Sequence, residues 1–201
     1  YTLTQADVGA AITVTASYTD GAGIDESVTS EPTDAVLNVN DAPTGTVTIS
    51  GDATEDAPLT ASQDLADEDG LGDISYQWSR EGTAIDGATD ETYTLTQADV
   101  AATLTVTMSY TDGYGAEESV TSAPTEPVQN VNDAPTGWVS VTGPLTFGPE
   151  GVTVLVGETV IADNTLEDED GLGAISYQWN RGDVAIDGAT SEEYVLTDAD
   201  I

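Results

Sequence analysis

The chain has 201 residues, with 38 acidic side chains against two arginines, no lysine, no histidine and no cysteine, for a net charge of −36. That balance excludes the basic surface nucleic acid requires, disfavours an anionic membrane surface and leaves no disulfide framework. Apolar residues still make up 38% of the chain, spaced in order, so a folded chain supplied with cations is expected rather than a disordered one.

From the N-terminus, the segment YTLTQADV opens at Tyr1 and returns at Tyr93. Over Thr96–Val100 it reads as a single helical turn capped by Thr96. Next comes NVNDAPTG, at Asn38 and again at Asn130, so both pairs are offset by 92 residues. The runs Thr46–Ser50, Ile74–Trp78 and Thr103–Tyr110 alternate β-branched or aromatic residues with polar ones, which predicts half-buried strands. Turn pairs punctuate them at Asp69-Gly70, Asp86-Gly87 and Asp112-Gly113, and Ala42-Pro43 precedes the first. The motif DEDGLG followed by ISYQW starts at Asp67 and at Asp168, an offset of 101. The added length falls in the stretch from Pro144 to Leu166, which reads as a longer hairpin. No run of 18 apolar residues spans a membrane, and no signal peptide is legible.

These elements predict an all-β chain of β-sandwich repeats of about 92 residues, divided as 1–41 (the C-terminal half of a repeat), 42–133 (a complete repeat) and 134–201 (the N-terminal part of a third). A sandwich buries its apolar faces only when both sheets are present, so neither end segment is expected to fold well alone. Two expectations follow: a piece of a longer array, or chains whose tails and heads complete one another in a filament. Trp78 and Trp179 hold the same place in their repeats and read as core residues on the third strand, ahead of a sugar-stacking platform. Tyr18 and Tyr110 read as core or corner tyrosines, and Trp138, which has no repeat partner, as an edge or interface residue.

Two acidic patches recur. One is Asn38, Asn40 and Asp41, repeated as Asn130, Asn132 and Asp133; the other is Asp67 to Asp69, repeated as Asp168 to Asp170. Carboxylates ~4 Å apart repel by roughly 4 kcal/mol at an effective dielectric of 20, and no lysine is present to relieve that. Carboxylate, amide and backbone oxygens with no histidine or cysteine suit calcium before magnesium and exclude a zinc site.

The order Leu3-Thr-Gln-Ala-Asp7, an alternating strand, Tyr18-Thr-Asp20-Gly21 and Asn38-Val-Asn40-Asp41-Ala42-Pro43, then Asp67-Glu68-Asp69, resembles the cadherin repeat across essentially the whole chain. More closely it is similar to the immunoglobulin-like or cadherin-like tandem repeats of large bacterial adhesins exported by type I secretion. The resemblance implies calcium between successive domains. At the first border it points to Asp7, Asn38, Asn40 and Asp41 from below, with Asp67, Asp69 and Asp112 from above. At the second it points to Glu55, Asp99, Asn130, Asn132 and Asp133, with Asp168 and Asp170. Asn38 and Asn130 stand where cadherins carry aspartate, Ala42 replaces their second asparagine, and Asp7 and Asp99 fall one place later than the cadherin glutamate. The last two could instead tie their turns to the backbone, and both roles stay open.

The function so implied is a calcium-stiffened structural spacer of a secreted, extracellular surface adhesin. Its partners would be calcium ions and neighbouring repeats, or head-to-tail copies of the chain, with no nucleic acid and no membrane insertion. The alternative is a self-assembling extracellular filament or surface-layer subunit. An enzyme is not expected, because the paired carboxylates recur in each repeat without a histidine, a cysteine or a pocket motif. A sugar- or ice-binding module is the remaining rival, resting on alternating threonines that are ordinary on an exposed strand face.

Overall fold

The computed structural model describes residues 1–144, 146–148 and 151–200. The chain is all-β: strands take up 38% of it, and the helical part consists of short 3-10 turns. Among the described residues no helix is long and apolar enough to cross a membrane. Two compact units form, Tyr1–Asn130 and Val131–Ile201. The first therefore takes in the expected half-repeat 1–41 together with most of the expected repeat 42–133.

In the first unit, β1 (Thr15–Thr19) and β2 (Asp25–Thr29) make an antiparallel hairpin with Tyr18 opposite Glu26. Seven strands follow: β3 (Val47–Ser50), β4 (Pro58–Gln63), β5 (Ser75–Arg80), β6 (Thr83–Ala84), β7 (Thr92–Thr94), β8 (Leu104–Thr111) and β9 (Glu117–Thr121). Strands β3, β4 and β7 form one antiparallel sheet; β6, β5, β8 and β9 form another. One core joins them. Val47, Leu59 and Ala61 enter from the first sheet and Trp78, Leu104, Val106, Met108 and Tyr110 from the second, with Leu65, Leu95 and Val128 from connecting segments. The arrangement is consistent with a β-sandwich.

Strand β8 shows how sequence makes this core. Its period-2 pattern buries Leu104, Val106, Met108 and Tyr110 and leaves Thr105, Thr107 and Ser109 half-buried. Each large apolar side chain so buried stabilises the fold by roughly 1.5–3 kcal/mol. Trp78 is fully buried and stacks on Tyr93, with ring centroids 5.8 Å apart. Its indole N–H donates to the Asp90 carbonyl at 2.9 Å, which satisfies the one polar atom it brings inside. This is a core tryptophan, not an exposed platform.

The second unit contains β10 (Val139–Thr142), β11 (Thr146–Gly148), β12 (Gly151–Thr153), β13 (Thr159–Asn164), β14 (Asn180–Arg181), β15 (Val184–Ala185) and β16 (Glu193–Val195). Strands β10, β13 and β16 form a sheet, while β11–β12 and β14–β15 are separate antiparallel pairs. The pair β11–β12 lies in the expected longer hairpin; Leu145, Pro149 and Glu150 of that stretch lie outside the described residues. Trp138, just ahead of the edge strand β10, is exposed. The run Ile175–Trp179, which repeats the residues at β5, is not a strand, because no strand of this unit pairs with it among the described residues. Trp179 nevertheless keeps its local contacts: it stacks on Tyr194 at 5.6 Å and donates to the Ser191 carbonyl at 2.8 Å.

Candidate metal centre

The turn acids, whose role the sequence leaves open, are engaged within their own turns. Asp99 is fully buried behind the 3-10 turn Gln97–Asp99. Its Oδ2 accepts from the Thr96 N–H at 2.8 Å, the Thr96 hydroxyl at 2.9 Å and the Tyr93 hydroxyl at 3.0 Å. Its Oδ1 accepts from Arg80 at 2.6 and 2.7 Å. Burial pushes this carboxyl up, but the hydrogen bonds from Thr96, Arg80 and Tyr93 outweigh that and hold it below its ordinary range. Asp7 repeats the pattern, with the Thr4 N–H at 2.8 Å and the Tyr1 hydroxyl at 2.8 Å, and these lower its pKa in that order. Asp200 repeats it a third time with Thr197, Arg181 and Tyr194. The tie to the turn backbone is thus the role the geometry displays; in Asp99 it uses Oδ2, and Arg80 takes Oδ1.

The other acids of the first border gather on two loops. Asp67 Oδ1 accepts from the Asp69 N–H at 2.8 Å, which closes the loop, and Asp67 Oδ2 accepts from the Tyr110 hydroxyl at 2.6 Å. Burial, then the bond to Asp67, then the negative charges of Asp67, Glu118 and Asp112 raise the Tyr110 pKa, so the hydroxyl stays a donor. Asp69 is buried. Its Oδ1 accepts from the Gln5 side-chain amide at 2.7 Å and its Oδ2 from the Asp41 N–H at 2.8 Å. Asn40 donates to Glu118 Oε1 at 2.7 Å. The segment ahead of Ala42 is therefore fastened to the Asp69 loop and to β9 of the sheet that follows it.

The second loop carries Asp112. Its Oδ1 accepts from the Tyr114 and Ala116 N–H groups at 2.9 and 2.8 Å. Its Oδ2 is buried without a partner, in a residue only 6% exposed. The two loops touch at the backbone: the Gly113 N–H donates to the Asp69 carbonyl at 3.1 Å, and a Cβ at Gly113 would lie 2.6 Å from that oxygen. A Cβ at Gly72 would lie 2.0 Å from the Thr111 carbonyl. Asn38 Oδ1 is a further buried oxygen without a partner. Among the described residues of this unit no three acidic side chains bring ligand oxygens within 4.8 Å of one another, so any donor set here mixes carboxylate with amide or backbone oxygen.

At the second border, Glu55 is buried, Asp99 is the buried turn acid and Asn130 is exposed, all in the first unit. In the second unit Asp168 Oδ1 accepts from the Asp170 N–H at 3.0 Å and Asp170 Oδ2 from the Asp133 N–H at 2.9 Å, repeating the bonds among Asp67, Asp69 and Asp41. Asn132 donates to the Asp133 carbonyl at 2.8 Å.

The residues fit a hard cation. Every donor is oxygen, Asp112 Oδ2 and Asn38 Oδ1 are buried acceptors with no donor, and both arginines are spent on turn acids. Reasoning from sequence missed Gln5 and the tie between Tyr110 and Asp67. Both lie in repeated segments, but nothing in their spacing said that Gln5 crosses to a loop 64 positions away. Compared with known protein families, curated proteins and solved structures, the chain matches none.

Proposed function

We propose that the chain is a run of immunoglobulin-like, cadherin-like β-sandwich repeats serving as a calcium-stiffened extracellular spacer, of the kind that holds the binding domain of a secreted bacterial adhesin away from the cell. The observation that carries the reading is Asp112 Oδ2, a buried carboxylate oxygen without a hydrogen bond, on a loop pressed against Asp69. A buried charge left so is costly unless a cation meets it.

Asp67, Asp69, Asp112 and Asn38 would hold the ion, with Asp41 and Asn40 alongside. Asp7 and Asp99 are left out of the set because their oxygens already accept, in Asp7 from Thr4 and Tyr1 and in Asp99 from Thr96, Tyr93 and Arg80. A bound calcium supplies positive charge where the chain has none. Gln5, the backbone at Asp41 and the loop of Asp69 then resist bending as one piece. At a dissociation constant of about 10⁻⁴–10⁻³ M, tenfold excess calcium adds about 1.4 kcal/mol per ion. The joint would be stiff outside a cell and loose inside it.

Calorimetric titration with calcium tests this on the wild-type chain and on Asp112→Asn. Binding is expected in the wild type, and the substitution should weaken one site about tenfold or more. Calcium heats that are absent, or identical in the two proteins, would remove the site from Asp112 and the mechanism with it.

A further inference from the structure

The turn that carries Asp7 and Asp99 also carries a glutamine, and the two copies show its amide in two orientations. Gln5–Asp7 and Gln97–Asp99 are both 3-10 turns, entered through Thr4 and Thr96 at φ/ψ of −131°/173° and −130°/168°. Gln5 sends its side chain to the Asp69 loop, where Nε2 donates to Asp69 Oδ1 at 2.7 Å. Gln97 shows the other end of the group: its Oε1 is buried and accepts from no donor. A side-chain amide has two donors on nitrogen and an acceptor on oxygen, and its terminal torsion is soft and roughly two-fold, so a half-turn exchanges them in nearly the same space. The third turn, Asp198–Asp200, carries aspartate at the glutamine position. An ionised aspartate donates nothing. What Gln5, Gln97 and Asp198 share is a side-chain oxygen that accepts.

A hydrogen bond and a cation make opposite demands on the Gln5 amide. A cation drawn to Asp69 Oδ1 would meet the positive, N–H end of the amide dipole. Turning the amide removes that repulsion and sets a neutral oxygen beside the carboxylate. Calcium takes about six to eight oxygens. At this border the buried oxygens that accept from no donor are Asp112 Oδ2 and Asn38 Oδ1, while both oxygens of Asp67 and of Asp69 already accept. A full set therefore has to recruit oxygens from groups now engaged in hydrogen bonds, and the amide already in contact with Asp69 is one of them.

We propose that Gln5 is a ligand of the calcium site through Oε1, and that its amide turns between two tasks. Without calcium, Nε2 donates to Asp69; with calcium, Oε1 binds the ion. The inference rests on the calcium reading above. The turn of Gln5 then stays tied to the Asp69 loop in both states, by one hydrogen bond or through the ion, so the joint loosens on losing calcium without parting. An amide brings no charge, which keeps the site in the weak range that ligand charge sets.

Calorimetric titration with calcium, together with two-dimensional NMR of the glutamine side chains, tests this on the wild-type chain, Gln5→Leu and Gln5→Glu. Gln5 is half-buried on a turn and outside the core, so both variants keep the fold. The Gln5 amide signal is identified by its loss in Gln5→Leu. In the wild type, calcium should move that N–H signal upfield as the bond to Asp69 is given up, and the side-chain carbonyl carbon downfield as its oxygen meets the ion. Gln5→Leu should weaken binding about tenfold, and Gln5→Glu, which keeps an oxygen at the same reach and adds charge, should bind at least as tightly as the wild type. Three outcomes overturn the ligand role and leave the calcium reading standing: calcium that binds while the Gln5 signals stay in place, undiminished binding to Gln5→Leu, or Gln5→Glu binding no better than Gln5→Leu. A wild type that takes up no calcium overturns both.

Discussion

At the scale of single residues, the chain spends its two positive charges on one recurring device. Arg80 and Arg181 each reach the acid that closes a 3-10 turn, Asp99 and Asp200. Sequence showed the turn over Thr96–Val100 but not that Arg80 meets it, since Arg80 and Asp99 are 19 residues apart and are joined only by folding. Asp99 is fully buried while the Arg80 side chain is 31% exposed, so the pair sits at the rim of the core. Asp99→Asn removes the charge that Arg80 faces and the acceptor that Thr96 and Tyr93 share, and should cost on the order of 3 kcal/mol, read from the urea midpoint. Its pH dependence has a definite sign. The folded pKa of Asp99 lies below its ordinary value of 3.8, so its contribution is present above that value and is lost as pH falls through the folded pKa. The same variant decides the role the sequence left open: calcium should raise the melting temperature of Asp99→Asn as much as that of the wild type, and a loss of that rise would make Asp99 a ligand.

Between elements, the acidic loops are held together by strand pairing. Strand β5 follows the Asp67 loop and β8 precedes the Asp112 loop, so their register sets Asp69 against Gly113. Gly113→Ala places a Cβ 2.6 Å from the Asp69 carbonyl. The loops must part, at a cost of about 1–3 kcal/mol, and thermal melting should fall accordingly. Gly21→Ala, in open space, should leave melting unchanged. Equal effects at both positions would mean that the loop contact carries no stability. Strands β3, β5 and β8 were legible because strict alternation of β-branched and polar residues marks them. Strand β4 was not: Pro58, Ala61 and Ser62 are weak strand formers, and it exists because β3 and β7 flank it. Ile175–Trp179 shows the opposite error. It reads as well as β5, but a strand needs a partner, and local pattern does not supply one. The acid clusters were legible as clusters, and their convergence was not, because it follows from long-range register.

Over the whole molecule, the charge itself is testable. With 38 carboxylates and two guanidinium groups, repulsion acts between groups far apart as well as within the clusters. Two kinds of relief then differ in form. Sodium chloride screens diffusely, with a Debye length of about 10 Å at 0.1 M and 3 Å at 1 M, so melting should rise smoothly with salt and level off once the screening length falls below the spacing of surface charges. Calcium held at buried oxygens such as Asp112 Oδ2 adds a term that follows occupancy, growing with the logarithm of concentration above the dissociation constant. At matched ionic strength calcium should therefore raise the melting temperature above sodium. Magnesium should fall between, because it gives up its water reluctantly and demands a stricter geometry than a mixed loop site offers. Calorimetric scans of one preparation in the three salts read this directly. If the curves coincide at every ionic strength, the acid clusters are part of a uniformly charged surface, and the segment ahead of Ala42 is held by the bonds of Gln5 and Asp41 to Asp69 and of Asn40 to Glu118 alone.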